Sequence, residues 1–153
     1  MDLSTIGVKF GWAVEETAGT KPTAFTWIKR CNKIAGLNLT KEKIDTTCFE
    51  DDVKQYIAGV SDTGGDWNLN FNGSKEFVKA WNALLAAYEA GKAANKATWA
   101  DIYIPGFGSY FVKFEPGEIP MPDLETNNKL DIQISNVINS YEGLGDEIEP
   151  TIA

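Results

Sequence analysis

The chain has 153 residues, of which 43% are hydrophobic and 12% aromatic, and it contains no histidine. This length and composition predict a single globular domain and exclude an intrinsically disordered chain. No apolar run approaches the roughly 20 residues that span a bilayer, and the N-terminus lacks a signal-peptide pattern. We therefore expect a soluble protein that folds in the cytoplasm and makes no contact with a membrane.

The net charge of −8 comes from the last quarter of the chain. Residues 1–114 contain 13 acidic and 13 basic residues, whereas residues 115–153 contain nine acidic residues and one lysine. Binding of nucleic acid through its phosphates requires clustered Lys and Arg, so this distribution argues against such binding. It is compatible with a surface that repels nucleic acid, with docking on a basic partner, or with a solvated acidic tail.

Three strands are predicted in the first half of the chain. Residues 7–15 alternate loosely, and residues 36–48 combine partial alternation with β-branched side chains. Residues 66–72 alternate strictly between apolar and polar side chains, as a half-buried strand does. Residues 24–35 are mixed in character, and residues 49–65 are polar and contain glycine, so the latter segment is predicted to be a loop.

One helix is predicted over residues 74–91. Ser74 is suited to act as the N-cap, and Gly91 is suited to end the helix in the left-handed conformation. Apolar side chains recur between them on a single stripe, which predicts a face buried in the core. The stripe consists of Phe77, Trp81, Leu84, Leu85 and Tyr88.

The second half of the chain is predicted to be mainly β. Residues 98–104 and 109–115 form two strands joined by Pro-Gly-Phe-Gly, a natural hairpin connection. Residues 116–127 contain three prolines and predict an extended loop, and residues 128–138 alternate as a last strong strand. Residues 139–153 are acidic and poor in core residues, which predicts a mobile arm. The sum is an α+β or mainly β domain with one packed helix.

The sequence offers little chemistry for an enzyme. The absence of histidine removes the commonest general base and most catalytic zinc sites. The acidic residues near position 50 lack the spacing of a calcium loop, so we predict no metal and no cofactor. Asp62-Thr63-Gly64 has the form of the catalytic triplet of aspartic proteases. That reading needs a dimer in which two aspartates share a proton, and it remains an alternative to a simple turn before residue 66.

Residues 44–72, IDTTCFEDDVKQYIAGVSDTGGDWNLNFN, resemble the signature region of the major tail tube proteins of long-tailed, siphovirus-type bacteriophages. The shared pattern is a strand that ends near Asp-x-Thr, an acidic loop, and a turn of the form hydrophobic-Gly-hydrophobic-x-Asp. An alternating strand and then a helix follow. The order of the later predicted elements is also similar, so the resemblance covers nearly the whole chain.

The resemblance implies a β-sandwich or barrel-like fold with one flanking helix, shared with the tube proteins of type VI secretion. It implies one domain over residues 1–153, with an N-terminal arm of about residues 1–6 and an acidic C-terminal arm of about residues 139–153. Six subunits would form a ring, and rings would stack into a hollow tube in the virion, assembled in the cytoplasm of the bacterial host. The tube would surround the tape measure protein, meet tail terminator and tail tip or baseplate proteins, and conduct DNA without specific binding. The family has no catalytic residues.

Two sets of residues are candidates for this assembly. The polar sides of the two best strands either face the lumen or lie on the outer surface: Asp66, Asn68, Asn70, Asn72, Asp131, Gln133 and Ser135. Charged residues are candidates for contacts between rings: Lys29, Arg30, Lys33, Glu50, Asp51, Asp52, Asp146, Glu147 and Glu149. Residues 49–65 are assigned to contacts between subunits. A tail-completion or secretion-tube ring protein of the same fold, and a small-molecule binding module, remain alternatives.

Overall fold

Nine strands and one helix make up the described part of the chain, residues 2–37, 40–50, 52–62 and 66–152 of a computed structural model. The strands are β1 (Lys9–Val14), β2 (Thr26–Ile28), β3 (Cys31–Ile34), β4 (Thr40–Asp45), β5 (Tyr56–Asp62), β6 (Asp66–Asn72), β7 (Thr98–Ile104), β8 (Gly108–Glu115) and β9 (Asp131–Gly145). The helix is α1 (Lys75–Ala93).

Seven of these strands form one antiparallel sheet in the order β2-β1-β7-β8-β9-β6-β3. Its two edge strands, β2 and β3, are separated in the chain by Lys29 and Arg30 alone. Consecutive Cα atoms are about 3.8 Å apart, so the two edges approach within about 11 Å and the sheet curls into an incomplete barrel. Arg30 forms the corner with φ 71°, and its carbonyl oxygen accepts a hydrogen bond from Asn72 N at 2.9 Å.

An aromatic core fills the concave side of this barrel. The ring of Phe10 on β1 lies 5.9 Å from the ring of Phe71 on β6 and 6.2 Å from that of Phe114 on β8. Strands far apart in the sheet order therefore meet across the barrel interior, with the edge-to-face geometry that aromatic pairs favour. The strand predicted over residues 66–72 is confirmed as β6, with alternate side chains buried.

Helix α1 packs its predicted stripe against this core. The Ser74 side chain accepts a hydrogen bond from Phe77 N at 3.1 Å, which confirms the predicted N-cap. Phe77, Trp81 and Leu84 are buried, and the Phe77 ring stacks on Phe71 at 4.7 Å. Burial of these side chains stabilises the helix more than its intrinsic propensity does.

The predicted role of Gly91 as the helix terminator is wrong. Helix α1 continues to Ala93, Ala94 is the C-cap, and Asn95 takes the left-handed conformation with φ 58°. Gly91 is instead buried where the helix crosses β1, and a Cβ there would lie 2.6 Å from Val14 Cγ1. Close approach of helix and strand, and not a positive φ, requires glycine at this position.

The prediction of a loop over residues 49–65 is confirmed for the described residues between 49 and 55 and wrong over residues 56–62, while residues 63–65 lie outside the described part. Residues 56–62 form β5, which pairs with β4 as a separate two-stranded sheet, with Thr40 opposite Asp62 and Asp45 opposite Tyr56. The strand predicted over residues 36–48 is confirmed only as the shorter β4. Strands β4 and β5 are defined by the backbone pairing between them, so the alternation of apolar and polar side chains did not predict them well.

The last strand is longer than predicted, because β9 runs through the expected boundary at residue 139 to Gly145. Its second half pairs with β8, as in the pairs Lys113 with Ser140 and Val112 with Tyr141. The chain then returns along β2: Thr151 N donates to Phe25 O at 3.0 Å, and Thr151 O accepts from Trp27 N at 2.8 Å. Whether residues 139–153 act as an arm in an assembly stays a prediction.

A second, smaller apolar cluster lies on the opposite side of the sheet. It consists of Phe25, Trp99 and Phe111, with Ile148 of the returning C-terminal segment packed against it. At its margin Glu15, 3% exposed, accepts hydrogen bonds from Ala97 N at 2.8 Å, Trp99 Nε1 at 3.0 Å and Gly19 N at 3.2 Å. Burial alone would raise the pKa of Glu15, but these bonds outweigh it and lower that pKa.

Candidate assembly surfaces

The seven polar residues predicted from alternation lie on one face of two neighbouring strands. Strands β6 and β9 are paired so that Asn68 is opposite Ser135, Asn70 opposite Gln133 and Asn72 opposite Asp131. Asp66 lies at the end of the same face, opposite Val137. The side chains between them point into the core, as the burial of Leu69 and Ile134 shows. We call this surface, Asp66, Asn68, Asn70, Asn72, Asp131, Gln133 and Ser135, the polar face.

Side-chain amides connect the polar face to the edge strand β3. Asn32 Nδ2 donates to Asn72 Oδ1 and to Asp131 Oδ1, each at 2.8 Å, and Asn70 Nδ2 donates to Asp131 Oδ2 at 3.2 Å. The bond from Asn32 is the main reason why the pKa of Asp131 is lowered. Lys33 lies opposite Asn70 in the β3–β6 register, so a cation borders this face.

The predicted basic cluster is divided between a corner and a strand. Lys29 and Arg30 form the connection between β2 and β3, whereas Lys33 lies within β3. All three side chains are exposed, and the Lys29 amine lies 5.3 Å from the ring centroid of Trp27. The cluster therefore marks the corner where the barrel closes.

The acidic C-terminal segment is tied to its own chain. Asp146, Glu147 and Glu149 are exposed, and Glu149 forms an ion pair and hydrogen bond with the Lys9 amine. That amine also lies 4.4 Å from the ring centroid of Trp27. Glu149 thus has a partner within the subunit, and any contact between rings would have to compete with it.

The β4–β5 hairpin carries the remaining predicted acidic residues at its tip. Thr46 N donates to Gln55 O at 2.9 Å and Gln55 N donates to Thr47 Oγ1 at 2.8 Å, so the tip is closed by hydrogen bonds. Phe49 is fully exposed, and Glu50 and Asp52 beside it are exposed as well. Asp51 lies outside the described residues.

A cavity of about 630 Å³ opens into the barrel beside β3. Its wall includes half-buried apolar side chains from five segments: Val8, Ile34, Leu37, Ile104, Tyr110 and Tyr141. Lys33 and Gly36 also line it, and Lys33 is the charged residue among its described lining. Burial raises the pKa of the Cys31 thiol on the same wall to about 12, consistent with an apolar site. We call this cavity the slot.

The structure places Asp62 of the protease-like triplet at the end of β5, with its backbone opposite Thr40. Thr63, Gly64 and the side chain of Asp62 lie outside the described part. Strand β5 pairs with β4 and is not a strand of the seven-stranded sheet. The catalytic reading requires two aspartates that share a proton, and it stays a prediction.

Within residues 2–37, 40–50, 52–62 and 66–152, no helix is long and apolar enough to cross a membrane. Within the same ranges no group of three or more Cys, Asp or Glu side chains is arranged to hold a metal ion.

Sequence reasoning missed three features of these surfaces. Asn32 has no neighbouring pattern that would predict its two bonds to the polar face. Asn136 did have a signal, because it occupies an apolar position in the alternation of β9; it is buried, and its Oδ1 accepts from Gly117 N at 2.9 Å. The slot arises from the curvature of the sheet, which alternation does not record.

No protein-family model matches the chain, and no curated protein matches it. Chains of solved structures, in contrast, are similar to it over most of its length. A chain of the 6-fold symmetrised baseplate of the anti-feeding prophage is 13% identical, with a TM-score of 0.62 over 95% of this chain and 98% of the other. A chain of the virion of a native gene transfer agent particle is 10% identical, with a TM-score of 0.59 over 94% and 99%.

The tail of an empty gene transfer agent particle, solved with C6 symmetry, contains a third similar chain. It is 12% identical, with a TM-score of 0.54 over 91% of this chain and 94% of the other. The chain shares its fold with tail and baseplate chains. At 10–13% identity this likeness shows the fold alone, and it confirms the mainly β fold with one helix that the sequence predicted.

Proposed function

We propose that this protein is a structural subunit of a phage-type tail tube. Six copies form a ring, and rings stack into a hollow tube that surrounds a tape measure protein and later conducts DNA. The observation that carries this proposal is the end-to-end likeness to chains of six-fold tail and baseplate assemblies. The resemblance of residues 44–72 to siphovirus-type tube proteins supports the same reading.

In this proposal the polar face lines the lumen. Its side chains are mostly neutral amides and hydroxyls, with two carboxylates at Asp66 and Asp131. A DNA channel must not bind each phosphate that passes, because attractive contacts would hold the DNA in place. Neutral and acidic side chains meet this requirement, and Lys33 at the border is the exception that a charge-removing variant can probe.

The ring-to-ring contact is proposed to join the basic corner of one ring to acidic residues of the next. Opposite charges on two different surfaces favour a head-to-tail interface, which grows into a polymer. We expect Lys29→Glu with Lys33→Glu to shorten or abolish tubes while circular dichroism and Tm stay unchanged. Arg30 is left intact because its φ of 71° makes substitution a backbone change as well. Tubes of ordinary length from the double variant would refute this contact.

Negative-stain electron microscopy of the concentrated protein tests the proposed function directly. Hollow rings or tubes with six-fold end views are expected. For the lumen assignment, Gln133→Cys in a Cys48→Ser background is to be labelled with a bulky maleimide before and after assembly. Protection in tubes is expected, while the control Glu89→Cys, exposed on helix α1, reacts in both states. Equal labelling of Gln133→Cys in both states would place the polar face outside.

A second candidate is a ring protein of a baseplate or tail-completion complex. It is favoured by the likeness to the anti-feeding prophage baseplate chain, which has a TM-score of 0.62. Such a protein stops at one or a few rings, whereas a tube protein stacks without limit. The length distribution of the particles therefore separates the two candidates. For a tube, tail terminator and tail tip proteins are the expected partners at its two ends.

A further inference from the structure

The β4–β5 hairpin has the features of a segment whose partner is missing. An isolated two-stranded hairpin is marginally stable in water, and it usually needs a third strand or a packed face. In the described part of the chain, β4 and β5 pair with each other and form a sheet apart from the barrel. Yet its tip presents a fully exposed Phe49, and Val53 nearby is 70% exposed. Exposed apolar groups at the end of a projecting element mark an interaction site.

The slot has the complementary features. Its volume of about 630 Å³ falls within the range of ligand-sized pockets and is ample for a phenylalanine side chain. The six apolar side chains named above are half-buried, so the described residues leave them partly open to solvent. Strand β3 pairs with β6 on one side only, so its other edge borders the opening. An open apolar cavity beside a strand edge is a binding site for an inserted segment.

Exposure and charge together favour the hairpin tip as the occupant. Lys33 lines the slot, and Lys29 and Arg30 lie at the adjoining corner of β3. In the tip, Glu50 directly follows Phe49, and Asp52 lies three positions after it. Phe49 is the most exposed large apolar side chain among the described residues, and acids beside such an anchor complement bases beside an apolar slot.

The hairpin of the same chain cannot fill its own slot in this conformation. Leu37 lines the slot, and β4 begins at Thr40, so the base of the hairpin lies beside the opening. Strand β4 then rises over five residue steps to Asp45, which is about 17 Å at 3.3–3.4 Å per residue. The tip lies beyond that distance from the base, and the occupant is therefore a second copy of the chain.

We propose that Phe49 at the hairpin tip of one subunit inserts into the slot of a neighbouring subunit. The two surfaces are different, so the contact is heterologous and every subunit both gives a tip and receives one. This inference rests on the proposed self-assembly and names the surfaces that carry it. It also holds for any assembly of this chain, whether tube, ring or filament.

Two variants test the two sides of the contact separately. Phe49→Ala removes the anchor from an exposed position, so the fold is retained. Gly36→Trp adds a bulky side chain to the slot wall at a position where a Cβ meets no atom within 4 Å, and circular dichroism checks that the fold is retained. Burial of a phenylalanine corresponds to a factor of about 10–100 in association, and each variant should weaken self-association by that factor. The control Met121→Ala removes an equally exposed apolar group and should leave association unchanged.

Mixing the two variants gives a sharper result. Phe49→Ala keeps a working slot, and Gly36→Trp keeps a working tip, so one contact forms between them and cannot be propagated. Sedimentation should show a heterodimer in the mixture that neither variant forms alone. The same contact should give a cross-link between Cys48 and Lys33 with a short thiol-amine reagent. Mixed ¹⁴N and ¹⁵N subunits should show that it joins two chains.

The outcomes separate this inference from the proposed function. A heterodimer and an intermolecular cross-link without hollow tubes would support the tip-in-slot contact and overturn the tube. Normal tubes from both variants, or a cross-link within one chain only, would overturn the tip-in-slot contact and leave the tube standing. Failure of Phe49→Ala and Gly36→Trp to complement each other, with each alone impaired, would also overturn the contact.

Discussion

Asp101 is a buried carboxyl group whose ionisation should set the pH dependence of stability. It lies in β7, 0% exposed, between Gly11 of β1 and Phe111 of β8 in the sheet register. Neither carboxyl oxygen has a hydrogen-bond partner among the described residues. Burial raises the pKa of Asp101 from 3.8 to about 7, although the Ser109 hydroxyl and the Lys21 amine act in the opposite direction.

The size of the effect follows from this shift. Each pKa unit corresponds to about 1.36 kcal/mol, so a rise from 3.8 to about 7 is worth on the order of 4 kcal/mol. The native state binds the proton more tightly than the unfolded state does. The contribution is therefore fully present below about pH 4 and is lost as the pH rises through about 7. Above that pH, Asp101 is a buried charge that destabilises the fold.

The perturbation is Asp101→Asn, which keeps the shape and removes the charge. An unsatisfied buried amide costs about 1–3 kcal/mol, so at pH 8 the variant should gain about 1–3 kcal/mol in free energy of unfolding. At pH 4 that gain should vanish or reverse, because wild-type Asp101 is then neutral. Urea unfolding monitored by tryptophan fluorescence at pH steps from 4 to 8 measures both values.

Asp66→Asn, an exposed carboxylate on β6, is the matched control and should shift stability by less than about 0.5 kcal/mol. The reasoning is refuted if Asp101→Asn and wild type lose stability in parallel between pH 4 and pH 8. That result would mean that Asp101 is ionised in the native state at every pH tested. It would also mean that a group without a hydrogen bond to Asp101 in this structure stabilises the negative charge of its carboxylate.

Three further substitutions test the packing of the subunit. Gly11→Ala places a Cβ 2.7 Å from Pro150 and should cost about 1–3 kcal/mol in chemical denaturation; an unchanged midpoint would show that residues 146–152 are not held against β1. Ser74→Ala should cost about 1 kcal/mol and lower helical circular dichroism on heating, and no loss would rule out the cap. Glu15→Gln should destabilise the protein above about pH 4.5 and progressively less as the pH falls through the lowered pKa of Glu15; a pH-independent loss would contradict the ionised state.

The sequence predicted those elements whose side chains alternate against the core of the same chain. Strand β6 and the first half of β9 bury every second side chain, so the pattern and the structure agree there. The stripe of helix α1 was equally visible for the same reason. Membership of the polar face followed directly, since the period of two assigns each residue of a strand to one side.

Backbone contacts and tertiary crowding explain what the sequence did not reveal. The second half of β9 is held by pairing with β8, although its side chains are only partly buried. Arg30 takes a positive φ where no glycine signals a turn, because Asn72 N binds its carbonyl oxygen and fixes the corner. Gly91 was predicted to end the helix, whereas glycine is required there because a Cβ would collide with Val14 on β1. None of these causes is local in sequence.

The sequence did not predict the β4–β5 hairpin, for a related reason that bears on assembly. A period of two appears in a strand only if one of its faces is buried, and in the described part of the chain this hairpin pairs only within itself, apart from the seven-stranded sheet. An element that binds another copy of the chain depends on a few anchor residues and on charge. The tip around Phe49 has this composition. A segment that reads as a loop but folds as a detached hairpin is therefore expected where the buried partner lies in a neighbouring chain. The slot beside β3, apolar and open among the described residues, is the surface that we propose for that partner.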